Sequence, residues 1–201
     1  MAGLPARRMP QWETGRSGTG SYFDRDRDPA DTVARLWPYL PQLGITRLAR
    51  QTGLDRVDEA VVHLEDAADR GPNHADVLMT YADGLVHAGV MPKAKVTMDH
   101  ALELNPLAPD LYYWIAGTAD FFLGNYADAS LKLSTMRESQ SAARFIAAVE
   151  AMNGNLQRAH EFRDTYLAQH PDFRIADYHI PLRKKGHREQ YLEALRRAGF
   201  H

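Results

Sequence analysis

The chain has 201 residues, 24 Lys and Arg against 26 Asp and Glu, a net charge of −2, and no cysteine. Near-balanced charge argues against a dedicated nucleic-acid binder. The missing cysteine excludes a disulfide framework, a thiol nucleophile and a cysteine-based zinc site. No apolar run approaches the roughly 20 residues that a bilayer-spanning helix needs, so a soluble, cytoplasmic protein without membrane contact is expected.

In chain order, residues 1–22 (MAGLPARRMPQWETGRSGTGSY) are rich in Gly, Pro, Ser and Arg and lack an apolar period. They predict a disordered tail, and Arg7 and Arg8 have no apolar stretch behind them of the kind a secretory signal requires. Residues 23–57 predict short helices. One starts at Asp28-Pro29 with Val33, Leu36 and Trp37 on its apolar side, and Pro38 and Pro41 limit it. The stretch GITRLARQTGLDRV over Gly44–Val57 predicts a short helix weakened by Gly44 and Gly53.

From Asp58 the apolar residues recur at three- and four-residue spacing between Gly71-Pro72, Gly89, Asn105-Pro106, Gly124, Gly154 and Pro171. This predicts amphipathic helices of about 12–16 residues joined by short turns. Ala60 and Ala94, Ala67 and Ala101, and Pro72 and Pro106 are each 34 residues apart. That period is the one of tetratricopeptide helix pairs. Leu78, Tyr81, Ala82 and Leu85 fall on a first helix, Ala94, Met98 and Ala101 on a second, and Pro106 ends the unit. Tyr113, Gly117, Ala129, Leu133 and Met136 repeat the pattern 35 residues on, and Ile146, Ala147, Ala159, Tyr166 and Pro171 give a shorter, weaker third. Small residues at Ala82/Ala94 and Gly117/Ala129 mark where paired helices cross most closely. Glu189–Ala198 predicts a terminal helix with Tyr191, Leu192, Leu195 and Ala198 on its apolar side, read as a cap on the last open repeat face. The fold class expected for 58–201 is an all-α tetratricopeptide-like solenoid of antiparallel helix pairs with a C-terminal capping helix.

Two resemblances follow from these residues. Residues 58–200, with DEAVVHLEDAADRGPNHADVL, KAKVTMDHALELNPLAPD and the ending HPDFRIADYHIPLRKKGHREQYLEALRRAGF, resemble the tetratricopeptide region that follows the catalytic domain of bacterial class III adenylate/guanylate cyclases. The resemblance implies a regulatory or scaffolding role. Residues 24–57 (DRDRDPADTVARLWPYLPQLGITRLARQTGLDRV) are similar to the start of YcaO-type domains, which use ATP to activate peptide backbone amides. The Ser-x-Gly-Lys-Gly stretch and acidic ATP/Mg²⁺ motifs of that family are missing here, so no catalytic residue carries over. The pairing implies a fused or truncated gene.

Chemistry-bearing motifs are scarce. The nine histidines form no His-Glu-x-x-His, the serines no Gly-x-Ser-x-Gly elbow, and Gly15–Gly20 has neither the strand nor the helix of a phosphate loop. No catalytic residue, metal site or cofactor is expected. The basic cluster Arg183, Lys184, Lys185, Arg188, Arg196 and Arg197 reads as solvated charge or as a contact for an acidic partner. The main candidate is a groove lined by first helices, with Met79, Asp83 and His87 on one face, Trp114, Thr118 and Phe122 on the next, and Arg144 from the third. Trp114 and Phe122 fit either a groove or a core position. The expected function is a non-catalytic protein- or peptide-binding scaffold; the competing readings are a YcaO-related accessory of ribosomal-peptide modification and a fusion relic. Nothing in the sequence fixes the oligomeric state.

Overall fold

A computed structural model describes residues 57–201, with Asp58 and Glu59 described as backbone alone. The predicted tail and the YcaO-like stretch, including Gly44–Val57 up to its last residue, lie outside the described residues. All regular structure among the described residues is helical. The helices are α1 (Val57–Arg70), α2 (Ala75–Ala88), α3 (Met91–Leu104), α4 (Asp110–Phe122), α5 (Tyr126–Ser134), α6 (Ala143–Met152), α7 (Leu156–Gln169) and α8 (Lys185–Arg197), with 3-10 turns at Gln140–Ala142 and Ile175–Asp177.

Each helix pair is built by the same local chemistry. In α2, Leu78, Tyr81, Ala82 and Leu85 lie on one face and are buried. The helix stops at Gly89, whose φ of 79° suits a residue without Cβ, and the Val90 amide bonds back to the Leu85 carbonyl at 2.8 Å. Pro92 then opens α3, where its missing N–H costs nothing. The same return bond links Asn125 to Asp120 at 2.9 Å and Asn155 to Glu150 at 2.8 Å. Three pairs result, α2/α3, α4/α5 and α6/α7, and α1 packs on α2 as the second helix of a preceding unit would.

Small residues set the crossings. Ala82 and Ala94, Ala129, and Ala147 and Ala159 are fully buried, and each pair separates its two small positions by 12 residues. A Cβ on Gly117 would stand 2.9 Å from Leu133 Cγ, so the α4/α5 crossing is tighter than even alanine fits without adjustment. The third unit follows the second by 30 residues (Gly117 to Ala147) where 35 separate the first two. The cause is α5, which has nine residues. The Asp110 carboxylate holds the chain beyond it, accepting the amides of Arg137 at 3.0 Å and Glu138 at 2.8 Å.

Two acids are buried at equivalent places, four residues before the turn glycine. Asp120 lies between Lys95 (3.0 Å) and Lys132 (2.8 Å) and accepts from Asn125 at 3.3 Å. Glu150 accepts from Ser130 at 2.8 Å and Asn155 at 2.9 Å, with Arg158 at 3.4 Å. Burial disfavours the charge on Lys95, yet its bonds to Asp120 and Asp99 more than offset this and hold its pKa above that of an ordinary lysine. These ion pairs bind α3, α4 and α5 together.

Candidate binding groove

The repeat register places Met79, Trp114 and Arg144 at equivalent positions of α2, α4 and α6, and Asp83 with Thr118, and His87 with Phe122, at two others. The first helices are neighbours. α2 packs on α4, and the rings of Phe121 and Phe145 join α4 to α6 with centroids 5.3 Å apart. The seven candidate residues thus sit at matching register positions on three neighbouring first helices.

This face is crossed by the chain's own C-terminal segment. After the 3-10 turn at Ile175–Asp177 the chain is non-helical up to Lys184, extended at Tyr178 and at Lys184 and turned between them, where the Leu182 amide bonds to the Ile180 carbonyl at 2.8 Å. Ile180 and Leu182 bury their side chains, 5% and 6% exposed, in the common core. His87 holds the main chain between and beyond them. Its Nδ1 donates to the Pro181 carbonyl at 2.7 Å, and its own carbonyl accepts the Arg183 amide at 3.1 Å. The Lys184 stem covers Gly89, where a Cβ would meet it at 2.8 Å. The capping helix α8 then turns back over the first helices. His187 lies on Phe122 with ring centroids 5.1 Å apart, Gln190 donates to the Phe121 carbonyl at 3.0 Å, and Tyr191 meets Phe121 and Phe145. The main packing partner of α8 is α6, and the cap thus covers first helices rather than the outer flank of α7 alone.

Arg144 holds this segment in place. Its guanidinium donates to the hydroxyls of Tyr191 (3.3 Å), Tyr166 (2.8 Å) and Tyr178 (2.6 Å) and lies 4.0 Å from the Tyr178 ring centroid. Burial pushes the Tyr191 phenol above the ordinary tyrosine range, although Arg144 opposes it. Phe122 and His87 are likewise engaged from above, so three of the seven candidate residues contact the C-terminal segment.

The other four lie where α2 and α4 face the same side. Met79 is buried, Trp114 is half-buried against the core, and Thr118 donates to the Trp114 carbonyl at 2.8 Å. Asp83 sits 3.6 Å from His87 Nε2. Burial raises its pKa, and the nearby His87 counteracts this. The two readings of the aromatics resolve unequally: Phe122 is core beneath α8, whereas Trp114 is at the core's edge.

The sequence reading missed the segment over Tyr178–Lys184. Its signal was present in Ile180-Pro181-Leu182, two apolar residues at alternate positions around a proline, the pattern of an extended stretch with one buried side. The basic cluster is largely paired internally. Arg188 Nη1 donates to the Leu182 and Arg183 carbonyls at 2.6 Å, Lys185 meets Glu189 at 3.4 Å, and Arg196 and Arg197 share Glu193. Among the described residues no group of three or more His, Asp or Glu is arranged to hold a metal ion, and no helix is long and apolar enough to cross a membrane.

No family model matches the sequence, and no curated protein matches it. Solved structures do. Two structures of MamA match 76% and 78% of this chain and 91% and 87% of their own, both at 18% identity, with TM-scores of 0.52 and 0.51. TTC0263, a thermophilic TPR protein in Thermus thermophilus, matches over 83% of this chain and 88% of its own at 20% identity, with a TM-score of 0.52. At such identities the likeness concerns fold, and together with the helix pairs above it establishes an all-α, tetratricopeptide-like solenoid.

Proposed function

We propose that this chain is a non-catalytic scaffold of the cytoplasm that binds a protein or peptide partner on the face formed by α2, α4 and α6. The observation that supports this reading is that the same face already receives a non-helical polypeptide segment, through buried alternate side chains and main-chain hydrogen bonds at His87. Extended-peptide recognition uses those two kinds of contact. On this reading the half-buried Trp114 serves as the aromatic anchor above the buried Met79, with Thr118 beside it and Asp83 orienting a basic group on the partner. Aromatic residues at the edge of a packed core make effective anchors because little of their own entropy is lost on binding.

The test is a library of extended ten-residue peptides read by fluorescence anisotropy against the full chain, wild type and Trp114→Ala. Peptides that bind wild type should lose about 30-fold in affinity on truncation of the anchor, the scale of a hot-spot residue. Equal binding by the two proteins would remove the groove reading.

A further inference from the structure

Two acceptors confront each other on α2 unless a proton stands between them. His87 Nδ1 lies 2.7 Å from the Pro181 carbonyl oxygen. A carbonyl can only accept, so Nδ1 carries a hydrogen. The other ring nitrogen, Nε2, stands 3.6 Å from Asp83 Oδ1, one helical turn earlier. A neutral ring with its hydrogen on Nδ1 presents a lone pair at Nε2, and an ionised Asp83 presents another. Both side chains are largely shielded from water, His87 at 10% and Asp83 at 19% exposure, so hydration gives little relief. One added proton removes the conflict. On Nε2 it makes an ion pair; on Asp83 it makes a carboxyl that can donate to the ring.

The charges on the surrounding elements are engaged elsewhere. On α2 itself Asp76 accepts from Tyr112. Glu65 of α1 pairs with Lys93 of α3, and α4 has Thr118 and Phe122, neither of them ionisable, at the equivalent positions. In the C-terminal segment His179 is exposed, Lys184 lays its stem over Gly89, and Arg183 gives its amide to the His87 carbonyl. In α8 His187 lies on Phe122, Lys185 meets Glu189, and Arg188 donates to the Leu182 and Arg183 carbonyls. Among the described residues the charge that acts on the Asp83 carboxyl is His87, and burial favours the protonated form of that acid.

We propose that Asp83 and His87 together hold one proton in the folded chain at pH values where the histidine of an unfolded chain has lost its own, and that this proton fastens the C-terminal segment to α2. With the proton on the ring, the bond from Nδ1 to Pro181 comes from a cation, and charge-assisted hydrogen bonds are about twice as strong as neutral ones. Linkage fixes the sign. The folded pair keeps a proton that the unfolded chain releases above about pH 6.5, so the stability it contributes is complete below that value. It is lost as pH rises through a titration that belongs to the pair and not to either residue. The inference holds whether or not the face binds a partner.

Nuclear magnetic resonance of the isotopically labelled wild-type chain tests the protonation directly. At about pH 7.5, one unit above the free-histidine value, the spectra should show either hydrogen on both His87 nitrogens or a protonated Asp83 carboxyl. A bare Nε2 together with an ionised Asp83 would overturn the proposal, and this readout needs no variant to fold. Urea unfolding between about pH 6 and about pH 9 then measures the linkage. The ratio of folded to unfolded chain should fall by up to about tenfold more per pH unit in wild type than in Asp83→Asn, the slope of one proton. Asparagine keeps the shape of the acid and removes its charge, so His87 then holds Pro181 as a neutral ring. Equal slopes in a folded Asp83→Asn protein would also overturn the proposal.

Discussion

Lys132 places its ammonium 2.8 Å from a carboxylate oxygen of Asp120, a residue with no solvent exposure, while Lys132 itself keeps 21% of its side chain in water. The pair is asymmetric. Lys132 and Lys95 can each return to solvent if their partner is removed, but Asp120 cannot. Lys95→Met or Lys132→Met alone leaves the carboxylate one cation and should cost about 1 kcal/mol. Removing both strands the charge, and the double variant should lose about 3–5 kcal/mol, well beyond the sum of the singles. Urea unfolding of the four proteins in this cycle measures the coupling; additive costs would show that the two lysines do not share the acid.

The crossing of α4 and α5 has no room to spare. Gly117→Val brings two methyls to where a bare Cβ already lies 2.9 Å from Leu133 Cγ, and Leu133 is buried and cannot swing outward. A loss of about 1–3 kcal/mol is expected, the usual cost of overpacking. Ala94→Leu, at the fully buried small position of α3, should behave alike. An unchanged unfolding midpoint for either would contradict the packing.

Arg144 satisfies three tyrosine hydroxyls at once. Arg144→Met would leave Tyr191, which is buried, with an unpaired hydroxyl and should destabilise by about 1–3 kcal/mol. Arg144→Lys should recover little, because a single ammonium cannot reproduce the flat, three-way donor geometry. Thermal melts followed by tyrosine near-UV dichroism would report both the stability and the loosening of the cluster. Full recovery by lysine would show that charge alone matters.

The tyrosines also set the alkaline limit. Tyr81, Tyr112 and Tyr191 all have phenols raised above the ordinary value, with burial the first cause in each case. A raised folded-state pKa means the folded chain holds these protons more firmly than the unfolded one. The stability they contribute is therefore complete below about pH 10, the ordinary tyrosine value, and is lost as pH rises above it. On the acid side, Asp110 is lowered by the Arg137 and Glu138 amides. Its contribution is present above about pH 4 and is lost as pH falls below that. Unfolding midpoints measured from about pH 3 to about pH 11 should fall at both ends, and Asp110→Asn should flatten the acid limb.

The helix pairs were legible in the sequence because close crossings demand small residues at fixed intervals, and Ala82, Ala94, Gly117 and Ala129 stand at those intervals. The third pair read as weak for a local reason: the early end of α5 shortens the step to Ala147, so the period breaks although the crossing at Ala147 and Ala159 is intact. The apolar side of α8 was legible too, in Tyr191, Leu195 and Ala198. Its landing place was not, since periodicity says which face is buried and not against what. Register likewise aligned Arg144 with Met79 and Trp114, but its tyrosine partners come from residues 22, 34 and 47 positions away, a distance over which one sequence carries no pairing signal.

The double hold of His87 on the Tyr178–Lys184 segment has a corollary in hydrogen exchange. The Arg183 amide is tied to the His87 carbonyl across 96 residues of chain, whereas the Phe200 amide is tied to Leu195 at the end of α8. Deuterium uptake at Arg183 thus reports opening of the hydrogen bond between α2 and the Tyr178–Lys184 segment, and uptake at Phe200 reports fraying at the end of α8. Equal protection at the two amides would show that the Tyr178–Lys184 segment opens together with the end of α8, and a higher factor at Arg183 that the buried side chains of Ile180 and Leu182 outlast the helix end.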